Sequence, residues 1–144
     1  MKACILIVDD EIEIRDMLSR HFKLMGYDTE TAGSVDEAVD VLNRKMIQVV
    51  ISDIMMPGKS GIELLPIIHD NFPMIRVIMI TGYVTLENAL ACMRKGADTC
   101  IFKPLGDLEE LDDAVKRVYD WHVRWQEKLH SLQKMKTGGG GINV

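Results

Sequence analysis

The sequence is short of three features, and each shortage excludes a class of protein. It has only three cysteines, Cys4, Cys92 and Cys100, and their odd number and wide spacing argue against a disulfide framework or a structural metal site. It has no excess of basic residues, since its net charge is −5, and so it lacks the positive field that direct nucleic-acid binding requires. It has no apolar run near the roughly 18 residues that span a bilayer, and no signal-peptide pattern. We therefore expect a cytoplasmic protein with reduced thiols that binds neither nucleic acid nor membrane.

What the sequence does contain is a regular alternation of strand and helix patterns. Apolar residues make up 47% of the 144 residues, enough for one domain with a core and a short appendage. Strand-like runs occupy residues 3–8, 28–32, 47–52, 75–80 and 99–102. Helical patterns occupy residues 11–25, the stretch after Ser34, residues 61–71 and 86–95, and the chain from Leu105 almost to Lys136. Ser34 and Glu37 have the spacing of a capping box.

This alternation predicts an α/β fold with five βα units. Short connections through helices require a parallel sheet. The run at residues 28–32 has one polar side, so it belongs at an edge of the sheet. We therefore predict a doubly wound, flavodoxin-like sheet of strand order 2-1-3-4-5, with an extended C-terminal helix.

Reactive side chains follow four of the predicted strands, where a doubly wound sheet binds its ligand. They are Asp9 and Asp10 after the first strand, Asp53 after the third, Thr81 after the fourth and Lys103 after the fifth. Each close pair of carboxylates costs on the order of 4 kcal/mol at an effective dielectric of about 20. A hard divalent cation such as Mg²⁺ would offset this repulsion. Together with Lys103 and Thr81, it would form a pocket for a phosphoryl group.

These residues, at this spacing, resemble the receiver domain of two-component response regulators. The matching segments are the pair Asp9–Asp10, the stretch DIMMPGKSG from Asp53 to Gly61, the dipeptide Thr81–Gly82, and GAD at Gly96 followed by Lys103–Pro104. The resemblance covers residues 3 to about 120. It implies a conformational switch, rather than a metabolic enzyme, that a sensor histidine kinase phosphorylates.

The resemblance also implies a set of metal ligands and a phosphoacceptor. Asp53 is the nucleophile that becomes an aspartyl phosphate. Asp10 binds Mg²⁺ directly and Asp9 assists through water, while Asp53 and the main-chain carbonyl of Met55 complete the protein ligands. In-line phosphoryl transfer needs mainly positioning and charge neutralisation, and this set supplies both.

The remaining implied roles concern the phosphoryl oxygens and the switch. Lys103 contacts one phosphoryl oxygen, and the Thr81 hydroxyl moves onto another. Pro104 follows a cis peptide bond. Receivers usually carry an aromatic switch residue three positions before the lysine, where this chain has Cys100. Either Cys100 is a reduced switch, or the signal passes through the surface around the fourth helix and Tyr83.

The C-terminal helix continues beyond the length of a minimal receiver. Apolar and histidine side chains recur at alternating spacings of three and four, which is the pattern of a coiled-coil seam: Leu108, Leu111, Val115, Val118, His122, Trp125, Leu129 and Leu132. We expect a receiver domain at 1–120, a helical extension at 121–136 and a flexible tail at 137–144. We further expect a homodimer whose seam includes Val118, Trp125, Leu129 and Leu132. The alternative is a linker that leads to an output domain.

Three other functions share part of this pattern. A haloacid-dehalogenase-like phosphohydrolase also uses an aspartyl nucleophile, but it needs an acid two residues later, where this chain has Met55. A nucleotide- or flavin-binding module needs a glycine-rich first turn, where this chain has Asp-Asp-Glu. A receiver that acts without phosphorylation, as a protein-interaction or dimerisation module, is the alternative within the resembled family.

Overall fold

The protein, seen in a computed structural model that describes residues 3–82 and 85–137, consists of five alternating strands and helices. The strands are β1 (Cys4–Val8), β2 (Asp28–Ala32), β3 (Val49–Asp53), β4 (Arg76–Thr81) and β5 (Thr99–Phe102). The helices are α1 (Ile12–Leu24), α2 (Val35–Arg44), α3 (Gly61–Asn71), α4 (Leu86–Arg94) and α5 (Glu109–Thr137). Among these described helices, none combines the length and the hydropathy that crossing a bilayer requires.

All neighbouring strands pair in parallel, in the order β2-β1-β3-β4-β5. This confirms the predicted fold class and strand order. The polar strand β2 lies at an edge, whereas β1, β3 and β4 are almost entirely buried. Strands that are covered on both faces need apolar side chains on both faces, which explains the continuous apolar runs.

The core has two parts, one on each face of the sheet. On one face, α1 and α5 cover the sheet with Leu18 and Phe22 from α1 and Leu111 and Val115 from α5. On the other face, α2 and α3 contribute most of the cover, and Cys92 of α4 joins them. Because the helices hold both faces of the sheet, the carboxyl ends of the strands form a rigid edge on which side chains can be positioned.

Two local predictions were wrong in detail. Helix α5 begins at Glu109 and not near Leu105, since the Asp107 carboxylate accepts a hydrogen bond from the Glu109 amide (3.1 Å) at the start of its first turn. Ser34 caps α2 by accepting from the Glu37 amide (3.2 Å), but the Glu37 carboxylate accepts from the Gly33 amide and does not close a box.

A complete capping box occurs instead at the start of α3. The Ser60 hydroxyl accepts from the Ile62 amide (3.2 Å), and the Glu63 carboxylate accepts from the Ser60 amide (2.8 Å). This box fixes the first turn of α3, which follows the segment that contains Asp53.

Helix α5 still packs on the domain where the predicted extension begins. Val118 and His122 are 3% and 6% exposed, and the His122 Nδ1 lies 3.3 Å from the Met74 carbonyl oxygen. The Arg76 guanidinium lies 4.1 Å from the centre of the Trp121 ring. The expectation that Val118 belongs to an intermolecular seam was therefore wrong, since it lies in the core of its own chain. His122, which continues the same heptad pattern, is likewise buried within its own chain.

Beyond His122 the predicted seam residues are exposed, and so is Met135, which follows them at the same spacing. Trp125, Leu129, Leu132 and Met135 are 41%, 45%, 49% and 53% exposed, and we call these four residues the distal stripe. Most of the predicted tail, residues 138–144, lies outside the described residues, as does Tyr83.

Candidate functional site

Four of the predicted side chains are brought together at the carboxyl edge of the sheet. Asp53 and Thr81 are the last residues of β3 and β4, while Asp9 and Lys103 directly follow β1 and β5. Asp9, Asp53 and Thr81 are almost completely buried, with 0%, 4% and 1% of their surface exposed. Residues up to 94 positions apart in the sequence therefore share one site.

Lys103 joins the two buried carboxylates. Its Nζ lies 2.9 Å from Oδ2 of Asp53 and 3.2 Å from Oδ2 of Asp9. It also lies 3.8 Å from Oε1 of Glu11, whose side chain is largely exposed. One ammonium group thus faces three carboxylates, so the described site retains an excess of negative charge.

Burial and charge shift the pKa values in this cluster. Burial raises the pKa of the Asp9 carboxyl above its ordinary value, although the Glu11 amide and the Lys103 ammonium both lower it. Burial alone would lower the pKa of the Lys103 amine, but its hydrogen bond and charge interaction with Asp53, together with the charge of Asp9, raise it. The lysine is therefore protonated at neutral pH and donates to both carboxylates.

The second oxygen of each buried carboxylate is held by the main chain. Oδ1 of Asp53 accepts from the Met55 amide (3.2 Å), and Oδ1 of Asp9 accepts from the Glu11 amide (2.9 Å). These bonds orient the carboxylates without neutralising them.

The loop after β3 is held close to Asp53 by a glycine. The Gly61 amide donates to the Ile54 carbonyl (2.8 Å), and the Ser60 hydroxyl donates to the same carbonyl (3.0 Å). A Cβ atom at Gly61 would lie 1.9 Å from the Asp53 carbonyl oxygen, so no larger residue fits this path. Gly61, the last residue of DIMMPGKSG, therefore allows the chain to pass next to Asp53, the first residue of that stretch.

Asp9, Asp10 and Asp53 form an acidic cluster that suits a metal ion. One carboxylate oxygen from each residue lies within 4.8 Å of the others, and Asp10 is exposed while the other two are buried. Carboxylate oxygens are the ligands that Mg²⁺ prefers, and the open side at Asp10 leaves room for the waters it retains. The donor set therefore fits the metal that the sequence predicts, with Met55 positioned next to Asp53.

The two predicted switch residues lie on neighbouring strands, with Thr81 at the end of β4 and Cys100 within β5. Cys100 is half-buried on β5 and pairs in register with Met79 of β4. Burial raises the pKa of its thiol, as it does for Cys92, whose pKa is raised to about 11, so both remain protonated at neutral pH. The Lys103–Pro104 peptide bond is cis, the isomer that the family resemblance implies.

Sequence reasoning missed two residues that support the site. Arg15 Nη1 donates to the Asp9 carbonyl oxygen (2.8 Å), and the Ser52 hydroxyl donates to the Asp53 carbonyl oxygen (3.0 Å). Ser52 is a polar residue directly after the apolar run at residues 49–51, which is a signal that could have identified it. The sequence offers no comparable signal for Arg15.

The chain was compared with protein families and with individual relatives. The profile of the response regulator receiver domain matches residues 5–116. Sporulation initiation phosphotransferase F of Bacillus subtilis is 38% identical over 120 residues, which cover 81% of this chain and 94% of that protein. Response regulator protein FleR of Pseudomonas aeruginosa is 35% identical over 117 residues, which cover 81% of this chain. The chain spans about a quarter of the length of FleR, at 24%.

Solved structures show the same relationship. A CheY-like response regulator receiver domain protein from Methanospirillum hungatei superposes with a TM-score of 0.82 at 31% identity, over 86% of this chain and 98% of that one. Response regulator protein TrrA of Thermotoga maritima, solved in complex with Mg²⁺-BeF, superposes with a TM-score of 0.73 at 33% identity, over 82% and 99% of the two chains. With its fold and family profile in agreement, this chain belongs to the response regulator receiver domain family.

Proposed function

We propose that this protein is a phosphorylation-dependent switch in which Asp53 accepts a phosphoryl group from a sensor histidine kinase. The observation that carries the proposal is the position of the Asp53 carboxylate at the end of β3, where it lies 2.9 Å from the Lys103 ammonium and within 4.8 Å of the carboxylates of Asp9 and Asp10. The switch then controls an output partner or domain. We place it in the cytoplasm, where its kinase would act.

The chain's own residues account for much of the transfer chemistry. A carboxylate oxygen of Asp53 attacks phosphorus, and the bond between phosphorus and the kinase's histidine nitrogen breaks as the new oxygen–phosphorus bond forms. The pair of electrons from the broken bond stays with the imidazole. Lys103, 2.9 Å from Asp53, contacts a phosphoryl oxygen and balances part of its charge. Thr81 provides a hydroxyl at the end of the adjacent strand.

Mg²⁺ would be held by Asp10, Asp53 and the main-chain carbonyl of Met55, with Asp9 assisting through water. When bound, it would neutralise charge that develops on the phosphoryl oxygens. The close approach of the three carboxylates supports this assignment, and so does the Mg²⁺ in the TrrA complex. Thr81 would then move toward the phosphoryl group, with Cys100 as its reduced partner in the switch.

Intact-mass spectrometry after incubation with acetyl phosphate and Mg²⁺ tests the proposal. The wild-type chain should gain one phosphoryl group, and Asp53→Asn should gain none while its circular dichroism is unchanged. An Asp53→Asn chain that is modified to the same extent as the wild type would show that Asp53 is not the acceptor. In the described site, nothing favours the alternative of a receiver that works without phosphorylation.

We also propose that the chain is organised as a receiver (1–120) followed by a helical extension (121–136), and that two copies pair through the extension. The distal stripe supports the pairing, because it continues the helix face that packs on the sheet and leaves large apolar side chains in water. Trp125 is the strongest anchor among them, since buried aromatic side chains dominate small interfaces.

A further inference from the structure

A groove of about 610 Å³ lies at the edge of the sheet opposite Asp53. Its floor consists of residues 42–48 and 72–75, which lead into β3 and β4, and its wall is the side of α5 that carries His122, Gln126 and Leu129. We call this feature the basal groove. It lies at the amino ends of the strands, so it is separate from the phosphorylation site.

The wall of the basal groove is held firmly to the domain. The His122 side chain is 94% buried, and its Nδ1 lies 3.3 Å from the Met74 carbonyl oxygen in the floor. The Arg76 guanidinium, paired with Asp98, stacks on Trp121 one residue earlier in the helix. The groove is therefore formed in the free chain and does not have to be created by a ligand.

Two exposed apolar side chains lie along the basal groove. Met46 is 82% exposed at its floor, and Leu129 is 45% exposed on its wall. Methionine adapts its shape to different apolar surfaces, which suits a site that receives a side-chain ridge from a partner. The groove accordingly offers apolar contacts to an inserted segment.

The charges around the basal groove are positive, although the chain is acidic. Of the described residues that line it, Arg44 and Lys45 are cationic and none is acidic. Residues 121–135 hold three lysines and arginines against one glutamate, a net charge of +2, so the rest of the chain, whose total is −5, carries −7. The groove and the adjoining helix thus form a cationic, apolar surface on an anionic protein.

We propose that the basal groove binds an acidic amphipathic helix of a partner protein, one whose apolar face is flanked by aspartate or glutamate. A helix lies well in an apolar groove through residues spaced three and four apart, and its flanking carboxylates would face Arg44 and Lys45. A flat bilayer would not enter the space between the loops and the helix. A second copy is less suitable here, because its distal helix would bring Arg124 and Lys128 toward the same positive charges.

A pair of synthetic peptides tests this surface in the full-length chain. Both are tryptophan-free helices with leucines spaced three and four apart, flanked by glutamates in one peptide and by lysines in the other. The glutamate peptide should bind and shift tryptophan emission, since Trp121 and Trp125 each precede a wall residue on α5 although neither lines the groove, while the lysine peptide should bind at least about tenfold more weakly. Fluorescence anisotropy of the labelled peptides gives the affinities.

Protein variants locate the binding. Met46→Glu should weaken the glutamate peptide about tenfold, whereas Leu24→Glu, at an equally exposed residue (84%) that does not line the groove, should leave it unchanged. Reversing Arg44 and Lys45 together to glutamate should reverse the preference between the two peptides. Circular dichroism confirms that each variant is folded.

Four outcomes would overturn the proposal. The first is that the glutamate peptide does not bind the wild-type chain, and the second is that Met46→Glu and Leu24→Glu weaken its binding equally. The third is that the charge-reversed variant keeps the wild-type preference between the two peptides. The fourth is that tryptophan emission responds only to phosphatidylglycerol vesicles. Loss of self-association in Met46→Glu, without peptide binding to the wild type, would assign the groove to a second copy.

Discussion

At the scale of single residues, the site depends on Gly61 as much as on the charged groups. An alanine Cβ at this position would collide with the Asp53 carbonyl oxygen, and a backbone atom cannot move aside as a flexible side chain can. We expect Gly61→Ala to lower the free energy of unfolding by about 2–3 kcal/mol and to reduce phosphorylation of Asp53. Urea unfolding and intact mass would measure the two effects.

Gly106→Ala is the matched control for this change. Its added Cβ meets nothing within 4 Å, and Gly106 is not among the glycines with positive φ. It should alter stability by no more than about 0.5 kcal/mol. Equal effects at both positions would mean that the close approach at Gly61 does not constrain the loop.

Asp9 gives the metal-free protein a pH dependence whose sign can be stated. Its pKa is raised by burial above the ordinary value of 3.8, so the folded state binds its proton more tightly than the unfolded state. The stability contributed by this proton is present at low pH and is lost as the pH rises through the raised pKa. Between pH 4 and 7, Asp9→Asn should therefore lose less stability than the wild type, measured by urea unfolding in EDTA. A greater loss in the variant would contradict the argument.

At the scale of elements, the first part of α5 packs on the domain and its last part is exposed, and the helix has one tryptophan in each part. Trp121 packs on Arg76 of β4, whereas Trp125 lies in the exposed distal stripe. Trp121→Ala should lower the free energy of unfolding by about 1–2 kcal/mol, because it removes packing and a cation–π contact. At concentrations where the chain is monomeric, Trp125→Ala should change it by about 0.5 kcal/mol or less. Equal losses in urea unfolding would show that the distal part also packs on the domain.

The elements also show which features the sequence could predict and which it could not. The βα alternation, the strand order and the convergence of Asp9, Asp53, Thr81 and Lys103 follow from local patterns and from the rules for parallel sheets. The burial of His122 does not, because the heptad pattern is the same whether a residue packs on its own sheet or on a second helix. The capping box at Ser60 could not be predicted for a related reason. Ser34 and Ser60 are each followed by a glutamate three residues later, and the sequence does not show which pair forms both capping hydrogen bonds.

At the scale of the whole molecule, the acidic cluster should make stability depend on Mg²⁺. A ligand that binds only the folded state stabilises it by about 2.7 kcal/mol at a hundredfold excess over its dissociation constant. Mg²⁺ should therefore raise the melting temperature of the wild type, and Asp10→Ala should remove that increase and raise the stability of the metal-free chain. Asp40→Ala, at an exposed carboxylate on α2, should keep the full response. A wild-type melting temperature that does not change when Mg²⁺ is added would contradict the proposed site.

The proposed pairing of two copies depends on the part of α5 beyond the domain. Since His122 and Trp121 pack on their own chain, a truncation that spares the fold must end after them, at Val123. The full-length chain should sediment as a dimer, and the chain that ends at Val123 as a monomer with the same unfolding free energy. Leu132→Glu should also give a monomer.

Ionic strength should affect this dimer in an unusual direction. Arg124, Lys128 and one acidic residue, Glu127, border Leu132 and Met135 of the distal stripe, so pairing brings a net positive charge from each chain together while apolar contacts hold the helices. Added salt screens that repulsion, and the dimer should therefore become tighter as salt is raised in sedimentation equilibrium. If the chain that ends at Val123 still dimerises, the interface lies on the globular domain, and the distal stripe is free to lead toward another partner or domain.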